Sequence, residues 1–347
     1  METDQTIHMM REEQDYSLKA HNTFGIDVTC RRFVEYATVQ EAVQLARQLR
    51  ADSQPLLIIG GGSNLLLTAP FLGTVVHSAI SHITVADDHD AVFVTAGSGV
   101  EWDTLVDYCV THGYHGAENL SLIPGDVGAS AVQNIGAYGA EACDIIYKVE
   151  AVSLADGSVV TMMRDDCHYG YRDSRFKHEW RNRYLITCVT YRLSKTFSPR
   201  LDYGNIRAEL QRLGIGDEPT AQQLRDTIIG IRRQKLPDHH VLGNAGSFFV
   251  NPVVSGEKAA ALQADYPQMP SYPLADGRVK VPAAWLIDQC GWKGRSMGPA
   301  AVHDKQALVL VNKGGATGAD IMALCNAIRH DVVQRFGIDI QPEVNIV

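Results

Sequence analysis

The sequence predicts an α+β protein, and three observations carry that prediction. Stretches with apolar residues every three or four positions alternate with short β-branched runs. An Asp156-Gly157 pair sits between two alternating runs, the signature of a hairpin turn. No segment recurs at a fixed period, so a repeat array is excluded. At 347 residues the chain exceeds what one hydrophobic core supports, and two or three lobes are expected.

The elements follow in order. "TVQEAVQLARQLR" puts Val39, Ala42, Val43, Ala46 and Leu49 on one helical face, with Thr38 and Glu41 spaced as a capping box. "PLLIIGGGSNLLL" is a short apolar run ending in three glycines, a buried strand that opens into a tight loop. "TVVHSAI" and "AVFVTAGSG" read as strands, and "EWDTLVDYCVTHGYHG" as a helix ending near Gly113. "KVEAVSLADGSVVTMM" is the hairpin, and "RYLITCVTYRL" a further strand. "TAQQLRDTIIGIRRQKLP" is a capped helix stopped by Pro237, which marks the boundary to a last lobe. That lobe holds the loop "YPLADGRVK", the apolar "AAWLIDQCGW", the strand "QALVLVN", the helix "TGADIMALCNAIRHDVVQRFG" and a closing strand in "IDIQPEVNIV".

Composition narrows the function class. Hydrophobic residues at 45% and charged residues at 20% describe an ordinary globular chain. A net charge of -9 argues against a nucleic-acid surface, which needs a basic stripe to displace counterions. The seven cysteines are odd in number and form neither C-x-x-C nor C-x-x-H, so they read as reduced packing thiols in a cytoplasmic setting. No apolar run near eighteen residues exists and the first twenty residues lack an apolar core, so neither secretion nor membrane insertion is expected.

Two glycine-rich stretches carry the first chemical signal. In "IIGGGSN", Gly60, Gly61 and Gly62 let backbone amides approach a phosphate, and Ser63 and Asn64 add side-chain donors. It is neither a Walker A loop nor G-x-G-x-x-G, and alone it reads as a strand-end turn. "IPGDVGASAVQNIGAYG" strings small residues over a length far beyond one turn, with Gln133, Asn134 and Tyr138 as its large polar groups. Close backbone packing explains one such segment; two of them favour a bound nucleotide cofactor.

These and further blocks carry a resemblance. "HNTFG", "GGGSNLLL", "LSLIPGDVGASAVQNIGAYG", "YGYRDSRFKHE", "KLPD", "GNAGSFFVNP", "WLIDQCGWKG", "AAVHDKQALVLVN" and "QPEV" run in order from about residue 21 to the C-terminus. Together they resemble the UDP-N-acetylenolpyruvoylglucosamine reductase (MurB) family, in its longer, loop-bearing type. The resemblance implies an FAD-binding fold of the vanillyl-alcohol-oxidase (PCMH) type. Residues 15–80 and 81–236 would form two flavin lobes, 337–347 would return to the second, and 237–336 would hold substrate. It implies FAD as cofactor, NADPH as co-substrate, an enolpyruvyl ether of a UDP-sugar as substrate, and a cytoplasmic monomer with no metal, nucleic-acid or membrane partner. An FAD-dependent oxidase of the same fold is the rival reading.

Hydride addition to the terminal carbon of an enol ether bearing a carboxylate leaves negative charge on the adjacent carbon. That requires cations at the carboxylate and a proton donor at the carbon. Ser247 matches the family's proton donor; "NAGSF" lacks the elbow of a nucleophilic serine. Arg172 matches the arginine that meets the substrate carboxylate, although on its own it reads as a surface ion pair with Asp173. Glu343 matches the family glutamate that either orients the arginine or delivers the proton. Tyr203, Lys235, Asn251, Tyr272, Lys280, Lys293 and Gln306 match substrate contacts. Gly60, Gly61, Gly62, Ser63 and Asn64 match the flavin-binding backbone, with Pro124, Gly125, Gln133, Asn134 and Gly136 behind them.

Overall fold

The computed structural model describes residues 10–347 and divides into two compact units. Among the described residues, the first comprises 10–16, 30–61 and 72–234, and the second 17–29, 62–71 and 235–347. The first nine residues, part of the N-terminal stretch read above, lie outside the described ones.

The first unit is built on two sheets. A four-stranded sheet runs in the order Arg11–Ser17, Thr29–Tyr36, Phe71–Ser78, Leu56–Ile59. The last two strands pair in parallel, from Leu56↔Thr74 to Ile59↔His77. Leu56–Ile59 was expected to be buried and is half-buried throughout, because it is the sheet's edge and covers a core from one side only. Helix α1 (Val39–Arg50) lays Ala42, Leu45 and Ala46 against Val34, Tyr36 and Val76. Its Thr38 Oγ1 accepts the Glu41 amide at 3.1 Å, whereas the Glu41 carboxylate turns to the Ala37 amide at 2.6 Å. Half of the expected capping box is therefore present.

The five-stranded sheet runs Val159–Met163, Ile146–Ser153, Tyr184–Leu193, Val92–Gly97, Ile83–Asp87, antiparallel throughout. Its hairpin turns at Asp156-Gly157 as expected; Asp156 Oδ1 accepts the Ser158 amide at 3.0 Å and Gly157 has φ +76°. Helices α2 (Trp102–Thr111) and α3 (Val127–Gln133) bury Trp102, Val106, Val127 and Ala131 against Val94, Val149 and Val189. Each such side chain removed from water contributes about 1.5–3 kcal/mol. Helices α4 (Ile206–Arg212) and α5 (Ala221–Lys235) close a smaller core of Ile206, Leu210, Leu224, Ile228 and Ile231.

The second unit folds around an antiparallel sheet ordered Gly243–Ser247, Val309–Asn312, Ala300–Val302, Ser296–Met297. Helices α6 (Gly256–Asp265), α7 (Ala283–Gln289) and α8 (Gly318–Phe336) pack Leu262, Leu286, Ile287, Ile321, Leu324 and Ile328 against Phe248, Phe249 and Leu310. Helix α8 starts at a complete capping box, Thr317 with Asp320, and ends at Gly337 in the left-handed region. The expected closing strand is only Asn345–Ile346, paired in parallel with Leu65–Leu66. All seven cysteines are free thiols and all but Cys290 are buried; burial pushes Cys109 up to about 12 and Cys167 and Cys188 to about 11. No helix among the described residues is long and apolar enough to cross a membrane.

In the first unit, Arg225 of α5 is almost fully buried and grips Asp103 of α2 through Nη1 at 2.8 Å and Nη2 at 3.0 Å, with Asp107 at 3.2 Å. Breaking a buried pair strands the remaining charge. Arg225→Met should therefore lower unfolding stability by about 2 kcal/mol, less than a fully buried pair because Asp107 is exposed. An unchanged urea midpoint would show that α5 is held by its apolar face alone.

Candidate active site

The two glycine-rich stretches meet in the first unit. A Cβ at Gly60 would lie 3.2 Å from both Ala129 Cβ and Asp126 Oδ2, and one at Gly61 would lie 3.3 Å from the Gly125 Cα. Small residues thus fit closely where the two backbones touch. Gly125, at φ +111°, accepts the Trp102 amide through its carbonyl at 2.9 Å, and Pro124 beside it is half-buried. Helix α3 leads to half-buried Gln133 and ends on Asn134, fully buried and left-handed at φ +43°. The Asn134 Nδ2 donates to Glu141 Oε2 and the Gly170 carbonyl, both at 2.8 Å, and its Oδ1 accepts the Cys143 amide at 2.9 Å. Its side chain is committed to this turn and fixes the backbone there.

Asn134 thereby locates the Arg172 loop. Gly170 and Asp173 exchange both backbone hydrogen bonds at 3.0 Å, leaving Tyr171 and Arg172 as the tip. Arg172 takes φ +55°, an unusual conformation for a side chain of its size, and its Nη2 donates to the Gly136 carbonyl at 2.7 Å. Asp173 meets His178 Nε2 at 2.8 Å. Lys177 Nζ donates to the Arg172 carbonyl at 2.8 Å, so the loop is fastened from two sides.

Sequence reasoning passed over Arg232. It lies seven residues along α5 from Arg225, on the same face, and its Nε donates to the Leu122 carbonyl at 3.2 Å. No carboxylate among the described residues pairs with it. Burial pulls its pKa down; the nearby Tyr138 phenol and Asp103 oppose that, and the Arg172 guanidinium adds to it. Burial in turn pushes the Tyr138 phenol up, against the pull of Arg232. The nearby Arg172 guanidinium adds a second positive charge to the region, which favours an anion there. The signal was readable: an arginine at helical spacing among Leu224, Ile228 and Ile231. Tyr203, exposed, packs on Gly139, where a Cβ would lie 3.2 Å from the Tyr203 Cβ.

Gly62, Ser63, Asn64, Ser247 and Glu343 lie in the second unit. Gly62 has φ +63°, and a Cβ there would be 2.1 Å from the His21 carbonyl oxygen, so only glycine fits. Asn64 Nδ2 donates to the Glu343 carbonyl at 3.4 Å, and the Asn64 carbonyl accepts the Asn345 amide at 3.1 Å. Ser247 ends the first strand of the sheet. The register slips between Asn244↔Val311 and Ser247↔Val309, a bulge at Ala245-Gly246 with Gly246 at φ +68°. Asn244 Oδ1 accepts the Gly246 amide at 3.0 Å and fixes the bulge. Bulges re-aim side chains: Ser247 is exposed, while Phe248 and Phe249 are buried. The Glu343 amide donates to the Phe248 carbonyl at 2.8 Å, so the closing segment is tied directly beside Ser247.

The expected substrate residues are brought together in part. Val279–Lys280 lies between Val253–Val254 and Tyr272–Pro273, so the segment "YPLADGRVK" is a hairpin, and the Lys280 Nζ sits 5.9 Å from the Tyr272 ring centre. Asn251, just before this sheet, accepts the Ala283 amide through Oδ1 at 2.9 Å and secures the start of α7. Lys235 is the exposed last residue of α5. Lys293 faces Asp288 at 3.5 Å, and the Gln306 carbonyl accepts the Val309 amide at 3.0 Å.

The residues present fit a flavin nucleotide. Side-chain-free backbone at Gly60, Gly61 and Gly125 suits a diphosphate, and the half-buried Arg232 guanidinium would suit a ring that gains negative charge on reduction.

Comparison with known proteins agrees. Residues 237–347 match the family model described as the C-terminal domain of UDP-N-acetylenolpyruvoylglucosamine reductase, and residues 31–163 match that of the FAD binding domain. The chain is 55% identical over 337 residues to a UDP-N-acetylenolpyruvoylglucosamine reductase of Bacteroides fragilis, covering 96% of this chain and 100% of the relative. It is 49% identical over 330 residues to one of Paraburkholderia xenovorans, covering 94% and 95%. A crystal structure of the enzyme from Thermus caldophilus superposes with a TM-score of 0.66 at 22% identity, covering 97% of this chain and 99% of that one.

Beneath the Gly60-Gly61 turn, His77 stands between Glu35, 2.8 Å from its Nδ1, and Asp126, 3.6 Å from its Nε2. Burial works against its charged form, but the two carboxylates outweigh it and hold its pKa above the ordinary histidine value. A raised folded pKa gives stability that is complete below the unfolded value, about 6.5, and lost as pH rises through the folded one. Wild type should exceed His77→Gln by about 1 kcal/mol at pH 6, and the difference should vanish in alkali. A difference that grows with pH contradicts the assigned charge state.

Proposed function

The chain belongs to the UDP-N-acetylenolpyruvoylglucosamine reductase family, and we propose that Ser247, Arg172 and Glu343 are its catalytic groups. The protein is an NADPH-dependent FAD oxidoreductase that reduces the enolpyruvyl ether of UDP-N-acetylglucosamine to UDP-N-acetylmuramate, a step of peptidoglycan-precursor synthesis. Its fold is the FAD-binding one of the vanillyl-alcohol-oxidase type. FAD, when bound, takes electrons from NADPH and supplies hydride to the terminal carbon of the enolpyruvyl group.

What the chain must supply is acid and charge. Carbanion character develops on the carbon next to the carboxylate, and the Ser247 hydroxyl protonates it. A hydroxyl is a weak acid, adequate here because its partner is a strong base in a preorganised site. The Arg172 guanidinium takes the substrate carboxylate, and its fixed plane matches the two oxygens. Glu343, tied by its amide to the residue after Ser247, serves proton supply. The observation that carries this reading is the Ala245-Gly246 bulge, which exposes Ser247 on a strand whose next two residues are locked in the core.

Gly60, Gly61, Gly62, Ser63 and Asn64 would hold the flavin diphosphate by backbone, with Pro124, Gly125, Gln133 and Gly136 behind them and Asn134 as the pin. Tyr272, Lys280 and Asn251, gathered at one small sheet, would meet the UDP-sugar with Tyr203, Lys235, Lys293 and Gln306. We read residues 15–80 and 81–236 as the flavin lobes, rejoined by 337–347, and 237–336 as the substrate lobe. The enzyme would work as a cytoplasmic monomer.

The reading is tested by colour. The purified protein should be yellow, bleach with NADPH in the absence of oxygen, and regain colour on adding the enolpyruvyl UDP-sugar; a colourless protein that takes up no FAD overturns it. Ser247→Ala should bleach normally but recover colour slower by several orders of magnitude; equal loss in both phases makes Ser247 structural. Glu343→Gln should bleach normally and recover slowly, and wild-type recovery would remove Glu343 from proton supply. Arg232→Met should leave the urea midpoint unchanged or raised, since it removes a half-buried charge that no carboxylate pairs with, yet weaken FAD retention or substrate turnover. A lowered midpoint with full function would make Arg232 a structural residue.

A further inference from the structure

The turn that follows α5 has no part in the chemistry above. Asp238, His239 and His240 each offer one ligand atom there, and the three atoms lie within 4.8 Å of one another. We propose that this turn is a binding site for a divalent transition-metal ion of the zinc, nickel and copper class.

Three features support the assignment. The first is the donor set. Two imidazoles and one carboxylate select borderline transition ions, whereas magnesium and calcium favour oxygen ligands alone. The second is the ordered backbone beneath the donors. The Asp238 carbonyl accepts the Val241 amide at 3.1 Å and the Leu242 amide at 2.8 Å, and Asp238 Oδ1 accepts the His240 amide at 2.9 Å. An ion would use the other carboxylate oxygen. The two rings are already adjacent, with centres 4.1 Å apart. Metal–nitrogen bonds of about 2.0–2.1 Å need tetrahedral donors about 3.4 Å apart, which side-chain rotation on an exposed turn can reach. The third is room for the remaining coordination positions: His239 and His240 line a cleft of about 620 Å³, together with Lys19, Phe24 and Lys313. Water would complete the shell.

The position gives the site a consequence. The turn runs directly into Gly243–Ser247, and Asn244 ties the two together by donating from Nδ2 to the Leu242 carbonyl at 2.8 Å and the Pro237 carbonyl at 3.4 Å. A bound ion would stiffen the approach to the bulge without entering it.

The test uses the full-length holoenzyme without an affinity tag, stripped with chelator and titrated calorimetrically with zinc chloride and, separately, magnesium chloride. Wild type should take up one equivalent of zinc saturably and show no magnesium binding. His239→Ala and His240→Ala should each weaken zinc at least tenfold, and Asp238→Asn should weaken it several-fold while keeping the turn. All three variants should retain FAD and metal-free reductase activity. The proposal falls if wild type binds no zinc at millimolar concentration, if magnesium binds equally, or if the double histidine variant binds zinc as wild type does, which would assign the ion to thiols such as Cys290.

Discussion

One backbone hydrogen bond sets the register of the second unit: the Glu343 amide to the Phe248 carbonyl at 2.8 Å. Phe248 and Phe249 are buried among α7 and α8, so that carbonyl is fixed by the core. The Phe249↔Pro342 bridge and the Val250 amide on the Gln341 carbonyl, at 2.9 Å, extend the pairing on the other side. A slip of one residue would exchange which side chains face the core. Ser247 and Glu343 therefore inherit their places from two phenylalanines that do no chemistry.

The first unit achieves the same end by strain. Leu122, Asn134, Tyr138 and Arg172 all have positive φ without being glycine. They are linked: Leu122 receives Arg232, Asn134 holds Gly170, and Arg172 holds Gly136. Such conformations cost about 1 kcal/mol or more apiece and persist only where surroundings over-determine them. These four are joined through the two arginines, while Asp15, His168 and Asn182 take the same backbone region elsewhere in the unit.

Local signals were legible in the sequence and long-range ones were not. The Thr38 cap and the Asp156-Gly157 turn depend on neighbours within a few residues, and each formed where expected, apart from the Glu41 carboxylate. The bulge before Ser247 depends on a partner strand sixty residues on, so the sequence showed its small residues without their purpose. Arg172 was found through its motif, but its left-handed backbone comes from Asn134 and Lys177. Arg232 was missed because an arginine in a helix normally reaches water. Leu56–Ile59 looked fully buried because an apolar run does not reveal whether its strand lies at an edge.

The parallel pairing of Asn345–Ile346 with Leu65–Leu66 shapes how the protein is made. Residues 281 positions apart share a hydrogen bond, and Leu66 lies in the same core as α8. On the ribosome, Leu65 and Leu66 emerge long before the strand that completes them, so they spend most of synthesis unmatched. Contacts of such separation close slowly, and apolar strands left waiting invite aggregation or chaperone capture. Most of the first unit's residues lie between 30 and 234, and it can assemble while the remainder is still being translated. Birth order thus runs from the glycine-rich turns to the bulged strand that ends at Ser247.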